Sequence, residues 1–273
     1  KMTNLEKTAE CINIVGRFCG RRDINALSRQ NLMESYGIPR VDLFLLFGGS
    51  IPCAAELFAD AVREKIAAHY LIVGGEGHTT ESLRRKMAAL CPGLLTEGKS
   101  EAEVFAGYLS QKYGISPDYL ETASTNCGNN VTNALELIKK EGLPHDTILL
   151  MQDASMQLRM DAGFRKYLDA HSRIINFACY QAEVIVENNA LAFRDNTITG
   201  LWDMERYITL LMGEIPRLRD DSEGYGPQGK NFIAHVDIPE HVEKAYAYMK
   251  ENYGDLIRIA NPAYATIKGE GSA

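Results

Sequence analysis

The residues best suited to chemistry lie in short loops that are rich in glycine, small polar side chains and charges. One loop contains Glu76 and His78, and a later one contains Asp153. Histidine exchanges a proton near neutral pH, and a nearby carboxylate can share that work in acid–base catalysis. Glu76, His78 and Asp153 are therefore the titratable group that could transfer protons, and a simple polar loop without catalysis is the alternative. The catalytic candidates are His78, Glu101, Asp153 and Arg159.

Two of these loops, residues 48–52 (GGSIP) and residues 74–80 (GGEGHTT), place glycine where a predicted strand turns into a helix. Glycine lets a ligand approach the backbone closely, and exposed amides at a helix start favour an anionic or carboxylate-bearing ligand. Either loop alone could be no more than a tight turn. Two such loops after neighbouring strands favour a binding site.

Small polar side chains fill the other two loops, residues 124–130 (STNCGNN) and residues 152–159 (QDASMQLR). They could cap the following helices or face a ligand. Arg159 could reach over the ligand or form a surface ion pair, and Cys127 is a weaker candidate for a nucleophile because no base is assignable to it. The binding candidates are Gly48, Gly49, Ser50, Gly75, Glu76, Gly77, Thr125, Asn126, Asn130, Gln152 and Asp153.

Several familiar motifs are absent from the sequence. Residues 75–80 fit GxGxxT rather than a dinucleotide fingerprint, no GxxxxGK[ST] phosphate loop exists, and Pro52 stands where a GxSxG elbow needs glycine. The six cysteines show neither CxxC pairs nor the spacing of zinc ligands. We therefore expect no metal cofactor, no disulfide framework, and neither a serine hydrolase nor an ordinary NAD enzyme.

The elements that position these loops are five short apolar runs, predicted as strands over residues 41–47, 70–73, 119–121, 147–151 and 174–177. Stretches with helical periodicity separate them. Runs such as LFLLF are continuously apolar, which is typical of strands covered by helices on both faces. The sequence thus predicts an α/β fold with a doubly wound, mostly parallel, Rossmann-like sheet, whose ligands bind outside the carboxyl ends of the strands.

The two terminal segments fall outside this alternation. Residues 41–199 should form the Rossmann-like domain, and residues 1–40 and 200–273 a smaller helix-rich domain. Within the second segment we expect a helix over residues 201–212 and another over residues 240–251. Residues 213–229 carry four glycines and two prolines and are predicted as an ordered surface loop.

Composition limits the partners. The chain has 273 residues, 45% hydrophobic and 24% charged, with a net charge of -7 and no basic tract for nucleic acid. No apolar run is long enough to span a membrane, and the charged start does not fit a signal peptide. We expect a cytoplasmic protein with a small-molecule ligand, no nucleic acid and no membrane span; homodimer formation is left open.

The loop motifs resemble those of the YdcF-like family, which belongs to a wider family that also includes SanA-like and ElyC-like envelope proteins. The resemblance runs through GGEGHTT, STNCGNN, QDASMQLR and especially the segment at residues 200–237, which is specific to the YdcF-like branch. It implies a Rossmann-like main domain, a smaller helical one, and a crevice that accepts S-adenosylmethionine. The membrane segment of the SanA-like and ElyC-like proteins has no counterpart in this sequence.

Three functions are consistent with the sequence. The first is binding of S-adenosylmethionine or a related adenosyl or nucleotide ligand, with methyl transfer as the activity this would serve. The second is hydrolysis or transfer on a phosphorylated metabolite, with loop amides and Arg159 on the phosphate and His78, Glu101 or Asp153 moving protons. The third is a non-catalytic ligand sensor or interaction module that uses residues 200–237.

Overall fold

The structure is a computed structural model that describes residues 2–256. The helices are α1 (Asn4–Cys19), α2 (Arg29–Tyr36), α3 (Cys53–Glu64), α4 (Thr80–Leu90), α5 (Glu101–Tyr113), α6 (Cys127–Lys140), α7 (Gln157–Tyr167), α8 (Met204–Leu218) and α9 (Glu240–Tyr253). The strands are β1 (Val41–Phe47), β2 (Ala67–Val73), β3 (Tyr119–Glu121), β4 (Thr147–Met151), β5 (Arg173–Asn176), β6 (Val184–Glu187) and β7 (Ala190–Phe193).

The main sheet has the order β3-β2-β1-β4-β5, and all of its strands are parallel. Leu43 on the central strand β1 pairs with His69 of β2 on one side and with Ile148 of β4 on the other. The chain therefore winds outward from β1 in one direction and returns to start β4 on its other side. This arrangement confirms the predicted doubly wound α/β fold, and it places the topological switch point between β1 and β4.

The continuous apolar run of β1 is explained by burial on both faces of the sheet. Phe44 and Leu46 belong to one hydrophobic cluster, whereas Leu43, Leu45 and Phe47 belong to a second cluster with residues of α6 and α7. All five side chains are fully buried. A strand with both faces covered needs apolar residues at every position, and the parallel sheet follows from that requirement.

A β-hairpin formed by β6 and β7 lies outside the main sheet and was not predicted. Its turn consists of Asn188 and Asn189, both with positive φ (50° and 60°). Asparagine tolerates this left-handed conformation better than most residues, and positive φ at both central positions is the requirement of a type I′ hairpin turn. The Asn-Asn pair between two short apolar runs was therefore the available sequence signal.

The prediction of a loop over residues 213–229 is wrong in its first part, because α8 continues to Leu218. Pro216 lies inside the helix and has no N–H to donate to the carbonyl of Met212. The hydroxyl of Tyr246 on α9 instead donates to that carbonyl at 3.4 Å. The carbonyl that Pro216 cannot bond is thus bonded by a residue of another helix. Such a contact between distant residues cannot be read from a local sequence pattern.

The terminal segments pack together and against the hairpin. Helix α1 contacts α8, α9 and β6. Asn13 on α1 binds both backbone groups of Val184, accepting from its N–H at 2.7 Å and donating to its carbonyl at 2.8 Å. Residues 257–273 of the predicted helix-rich segment lie outside the described part of the chain. No helix within residues 2–256 is long and apolar enough to cross a membrane.

Candidate functional site

The loops after β1 and β4 meet at the switch point through one buried side-chain contact. The hydroxyl of Ser50 donates to Oε1 of Gln152 at 3.0 Å, and the same oxygen accepts from the backbone N–H of Asp153 at 2.7 Å. Ser50 and Gln152 are both buried. These bonds fix the Gln152 amide in one orientation, with Oε1 already accepting two hydrogen bonds.

Gln152 forms a polar floor beneath Gly49. Its Nε2 is buried and has no hydrogen-bond partner within residues 2–256. A Cβ at position 49 would lie 3.5 Å from this nitrogen and 3.8 Å from Sδ of Met156. Gly49 and Met156 are half-buried and form part of the outer surface here. A buried donor without an acceptor costs about 1–3 kcal/mol, which a ligand could recover by supplying the acceptor.

Glu101, the first residue of α5, is buried between the loops that follow β1 and β2. Its Oε1 accepts hydrogen bonds from the hydroxyls of Thr80 (2.8 Å) and Thr79 (3.2 Å). Its backbone N–H donates to the carbonyl of Gly75 at 2.8 Å, which attaches the start of α5 to the loop after β2. The carboxyl group is therefore held at the carboxyl edge of the sheet by contacts from both ends of the residue.

Two glycines make room for this carboxyl group. A Cβ at Gly48 would lie 2.6 Å from Oε2 of Glu101, and one at Gly74 would lie 3.2 Å from the same atom. Desolvation by burial raises the pKa of Glu101 to about 7, against the lowering effects of the Thr80 and Thr79 hydrogen bonds and of the Arg84 charge. A carboxyl group with this pKa can donate or accept a proton near neutral pH.

The loop after β2 uses its amides internally. Gly75 N donates to Oγ of Ser124 (3.1 Å), Glu76 N to the carbonyl of Ser124 (3.0 Å), and Gly77 N to Oγ1 of Thr80 (2.7 Å). A Cβ at Gly75 would lie 2.1 Å from the Ser124 carbonyl oxygen. Close packing against the loop after β3 thus explains why residue 75 is glycine. The three amides donate within the protein and are not available to bind an anion.

The loop after β3 caps α6. Asn126 accepts from the backbone N–H of Asn129, and the Asn129 side chain accepts in turn from the backbone N–H groups of Asn126 and Thr125. This reciprocal pattern is a capping box, so Asn126 has the capping role that the sequence left open. Thr125 and Asn126 are half-buried and Asn130 is buried, which leaves the first two at the surface of the sheet edge.

Cys127 is an unfavourable nucleophile. Burial raises the pKa of its thiol, with the nearby charges of Arg159 and Arg217 lowering it and that of Glu214 raising it. A thiol attacks as the thiolate, and a raised pKa reduces the thiolate fraction at neutral pH. The other cysteines of the chain are buried, and all six are unpaired.

Asp153 is a buried anchor for three parts of the chain. Its Oδ1 accepts from the backbone N–H (2.9 Å) and hydroxyl (2.7 Å) of Ser155 and from the hydroxyl of Tyr180 (2.9 Å). Its Oδ2 accepts from Nε1 of Trp202 at 2.9 Å. Burial raises the pKa of Asp153 while these bonds lower it. Both carboxylate oxygens are therefore occupied by the protein.

Replacing Asp153 with asparagine is expected to destabilise the protein by about 1–3 kcal/mol. The asparagine oxygen can keep the Ser155 and Tyr180 bonds, but its NH₂ would face the Trp202 indole N–H, and two donors cannot pair. Urea denaturation would measure the loss, which should be much smaller when Asp153→Asn is made in the Trp202→Phe background and compared with Trp202→Phe alone. Equal stability of the wild type and the single variant would contradict this anchoring role.

Arg159 is engaged in a buried ion pair. Its Nε and Nη2 donate to the two carboxylate oxygens of Glu214 on α8, at 2.8 and 2.7 Å. The two side chains are only 8% and 3% exposed, so this is neither the surface ion pair nor the exposed guanidinium considered from the sequence. The fork-shaped geometry occupies two donors of Arg159 and neutralises its charge.

The predicted group of Glu76, His78 and Asp153 is split between two environments. Glu76 and His78 are exposed in the loop after β2, where Glu76 lies 3.7 Å from Nη1 of Arg84, whereas Asp153 is buried after β4. The residues that sequence analysis missed are the partners of the buried polar groups: Thr79, Thr80, Ser124, Tyr180, Trp202 and Glu214. Each contacts a residue distant in sequence, so local patterns gave no signal for the pairing.

Within residues 2–256, no group of three or more His, Cys, Asp or Glu side chains is arranged to hold a metal ion. The polar arrangement that remains is the half-buried surface of Gly49 and Met156 at the switch point, with Gln152 beneath it and Glu101 on the β2 side of Gly48. No protein-family model matches the chain, and the resemblance to the YdcF-like family stays a prediction from its motifs.

Proposed function

We propose that this protein binds a small adenosyl ligand, S-adenosylmethionine, in the crevice at the switch point between β1 and β4. The observation that carries the proposal is the buried Nε2 of Gln152 beneath the half-buried Gly49. A ligand lying over Gly49 could supply the acceptor that Gln152 lacks. Open parallel sheets bind their ligands at this position, outside the carboxyl ends of the strands.

Two acidic side chains near the crevice favour a ligand with a positive group. Glu101 lies beneath the loops, where a nearby cation would favour its ionised form, and Glu76 lies at their surface, 3.7 Å from Arg84. S-adenosylmethionine carries a sulfonium and an ammonium group against one carboxylate, so its net charge is positive. The thioether of Met156 near Gly49 adds a polarisable apolar contact for a ring or a methyl group.

A phosphorylated ligand is less well supported. The amides of Gly75, Glu76 and Gly77 donate within the protein, and Arg159 is neutralised by Glu214. A phosphate site normally offers free backbone amides at a helix start or an unpaired guanidinium. The phosphate-ester alternative would require these groups to exchange their present partners.

The role of a bound adenosyl ligand would be methyl transfer or sensing. Methyl transfer to a hydroxyl or amine requires loss of a proton, for which the carboxyl group of Glu101 is available. For sensing, the segment at residues 200–237 would have to present side chains to a partner. Trp202, Tyr207, Leu210 and Leu211 of this segment are buried in the core, so these side chains do not form such a surface.

Calorimetric titration of the purified, metal-free protein with S-adenosylmethionine tests the proposal, with S-adenosylhomocysteine and ATP as comparators. We expect one saturable site for S-adenosylmethionine. Gly49→Ala should weaken binding, and Gly49→Val should weaken it further, by about tenfold or more, because each change adds volume above Gln152.

Gly107→Ala is the matched control, since it adds the same Cβ on α5, against a side-chain end of Leu94. It should leave the Kd unchanged. Binding of ATP without binding of S-adenosylmethionine would favour a phosphorylated ligand over an adenosyl sulfonium ligand. Binding of S-adenosylmethionine that is indifferent to the size of residue 49 would place the ligand elsewhere.

A further inference from the structure

Two consecutive glycines at the end of β1 separate the two buried polar groups of the crevice. Gly48 lies against Glu101, and the next residue, Gly49, lies against Gln152. The carboxyl group of Glu101 therefore lies beside the residue next to the one that contacts the Gln152 amide. Both side chains are buried, so a ligand that covers Gly49 and also contacts Glu101 must extend over the adjacent Gly48.

The hydrogen bonds of Glu101 distinguish its two oxygens. Oε1 accepts from both Thr79 and Thr80, whereas Oε2 is the carboxylate oxygen that faces the glycines at positions 48 and 74. The charges that act on this carboxyl group include Arg84 on α4, which favours its ionisation, and Glu76 in the loop after β2, which opposes it. The loop after β1, residues 48–52, contacts Glu101 through Gly48 and contains no charged residue.

We propose that Glu101 recognises the cationic group of the ligand, binding it as a carboxylate and releasing its own proton to solvent in the process. The inference rests on the function proposed above. Below pH 7 the free protein would hold mainly the neutral carboxyl group, because burial disfavours its charged form. A sulfonium or ammonium group beside Oε2 would favour the ionised form, and the O–H bond would break with its proton passing to buffer.

The proton released on binding can be counted by calorimetry. At pH 6.5, titration with S-adenosylmethionine in phosphate and in Tris should give different heats, because the two buffers differ in ionisation enthalpy, and the difference reports the protons released. We expect most of one proton at pH 6.5 and almost none at pH 8.5. The Kd should be about tenfold weaker at pH 6 than at pH 8, since the proton competes with the cation.

Two variants make the test specific. Glu101→Gln should bind more weakly, release no proton, and show a Kd that is independent of pH. Glu103→Gln changes an exposed carboxylate two residues away and keeps the capping box with Ser100, so it should behave as the wild type. S-adenosylhomocysteine lacks the sulfonium, so proton release with it would assign the contact to the ammonium group.

The outcomes separate the two proposals. Saturable binding with equal heats in both buffers would overturn the role of Glu101 and leave the proposed function standing. Proton release that persists in Glu101→Gln would assign the proton to another group and overturn the role equally. No binding heat at any pH would overturn the proposed function together with this inference.

Discussion

Replacing Glu101 with glutamine is expected to raise the free energy of unfolding by about 3 kcal/mol at pH 8 and to leave it nearly unchanged at pH 4.5. The pKa of this carboxyl group is about 7 in the folded protein, above its ordinary value of 4.5. The folded state therefore holds the proton more tightly than the unfolded chain. The stabilising contribution is complete below pH 4.5 and is lost as the pH rises through 7.

Urea denaturation at several pH values between 4.5 and 8 would measure this dependence. The difference between the wild type and Glu101→Gln should grow with pH and level off above 7. Glu103→Gln at the exposed start of the same helix should stay within about 0.5 kcal/mol of the wild type throughout. A constant difference between wild type and Glu101→Gln would mean that Glu101 does not titrate in this range. A natural residue that costs stability at physiological pH is typical of a functional site.

The second large effect is expected at the ion pair of Arg159 and Glu214. Arg159→Met should destabilise the protein by about 3–5 kcal/mol, because it leaves the buried Glu214 carboxylate without its partner. The double change Arg159→Met with Glu214→Leu should recover most of that loss, since no charge then stays buried. Denaturation of the wild type, both single variants and the double variant gives the coupling energy directly.

The pair formed by Arg194 and Glu183 is a matched control. It has the same two-pronged geometry, with bonds of 2.7 and 3.2 Å, but its side chains are 61% and 52% exposed. Arg194→Met should therefore cost no more than about 1 kcal/mol. Similar losses for Arg159→Met and Arg194→Met would contradict the argument that burial makes the difference. Ligand binding by the double variant that equals that of the wild type would also confirm that Arg159 does not contact the ligand.

The sheet could be predicted from the sequence because burial of a strand on both faces requires a continuous run of apolar residues. Continuous apolar runs at β1 and β4 indicate parallel strands, and a helical period between them indicates crossovers. The hairpin of β6 and β7 is short and only partly buried, so its pattern is weak. The end of α8 was mispredicted because Gly213 and Pro216 favour termination locally, while the contact with α9 that accompanies the proline is distant in sequence.

The site was less predictable for a related reason. The sequence identified the loops, and their position at the carboxyl edge follows from the parallel sheet. It could not show which polar groups the protein itself satisfies. Asp153 carries four hydrogen bonds from partners up to 49 residues away, whereas the side-chain nitrogen of Gln152 next to it has no partner among the described residues. Neighbours in sequence thus differ in role because of tertiary contacts alone.

A crystal structure of the protein grown with S-adenosylmethionine would show whether the ligand lies at the switch point. We expect density for the ligand over Gly49, an acceptor atom within hydrogen-bonding distance of Nε2 of Gln152, and a positively charged group beside Oε2 of Glu101. Ligand density at another surface, with the Gln152 amide still unpartnered, would contradict the proposal.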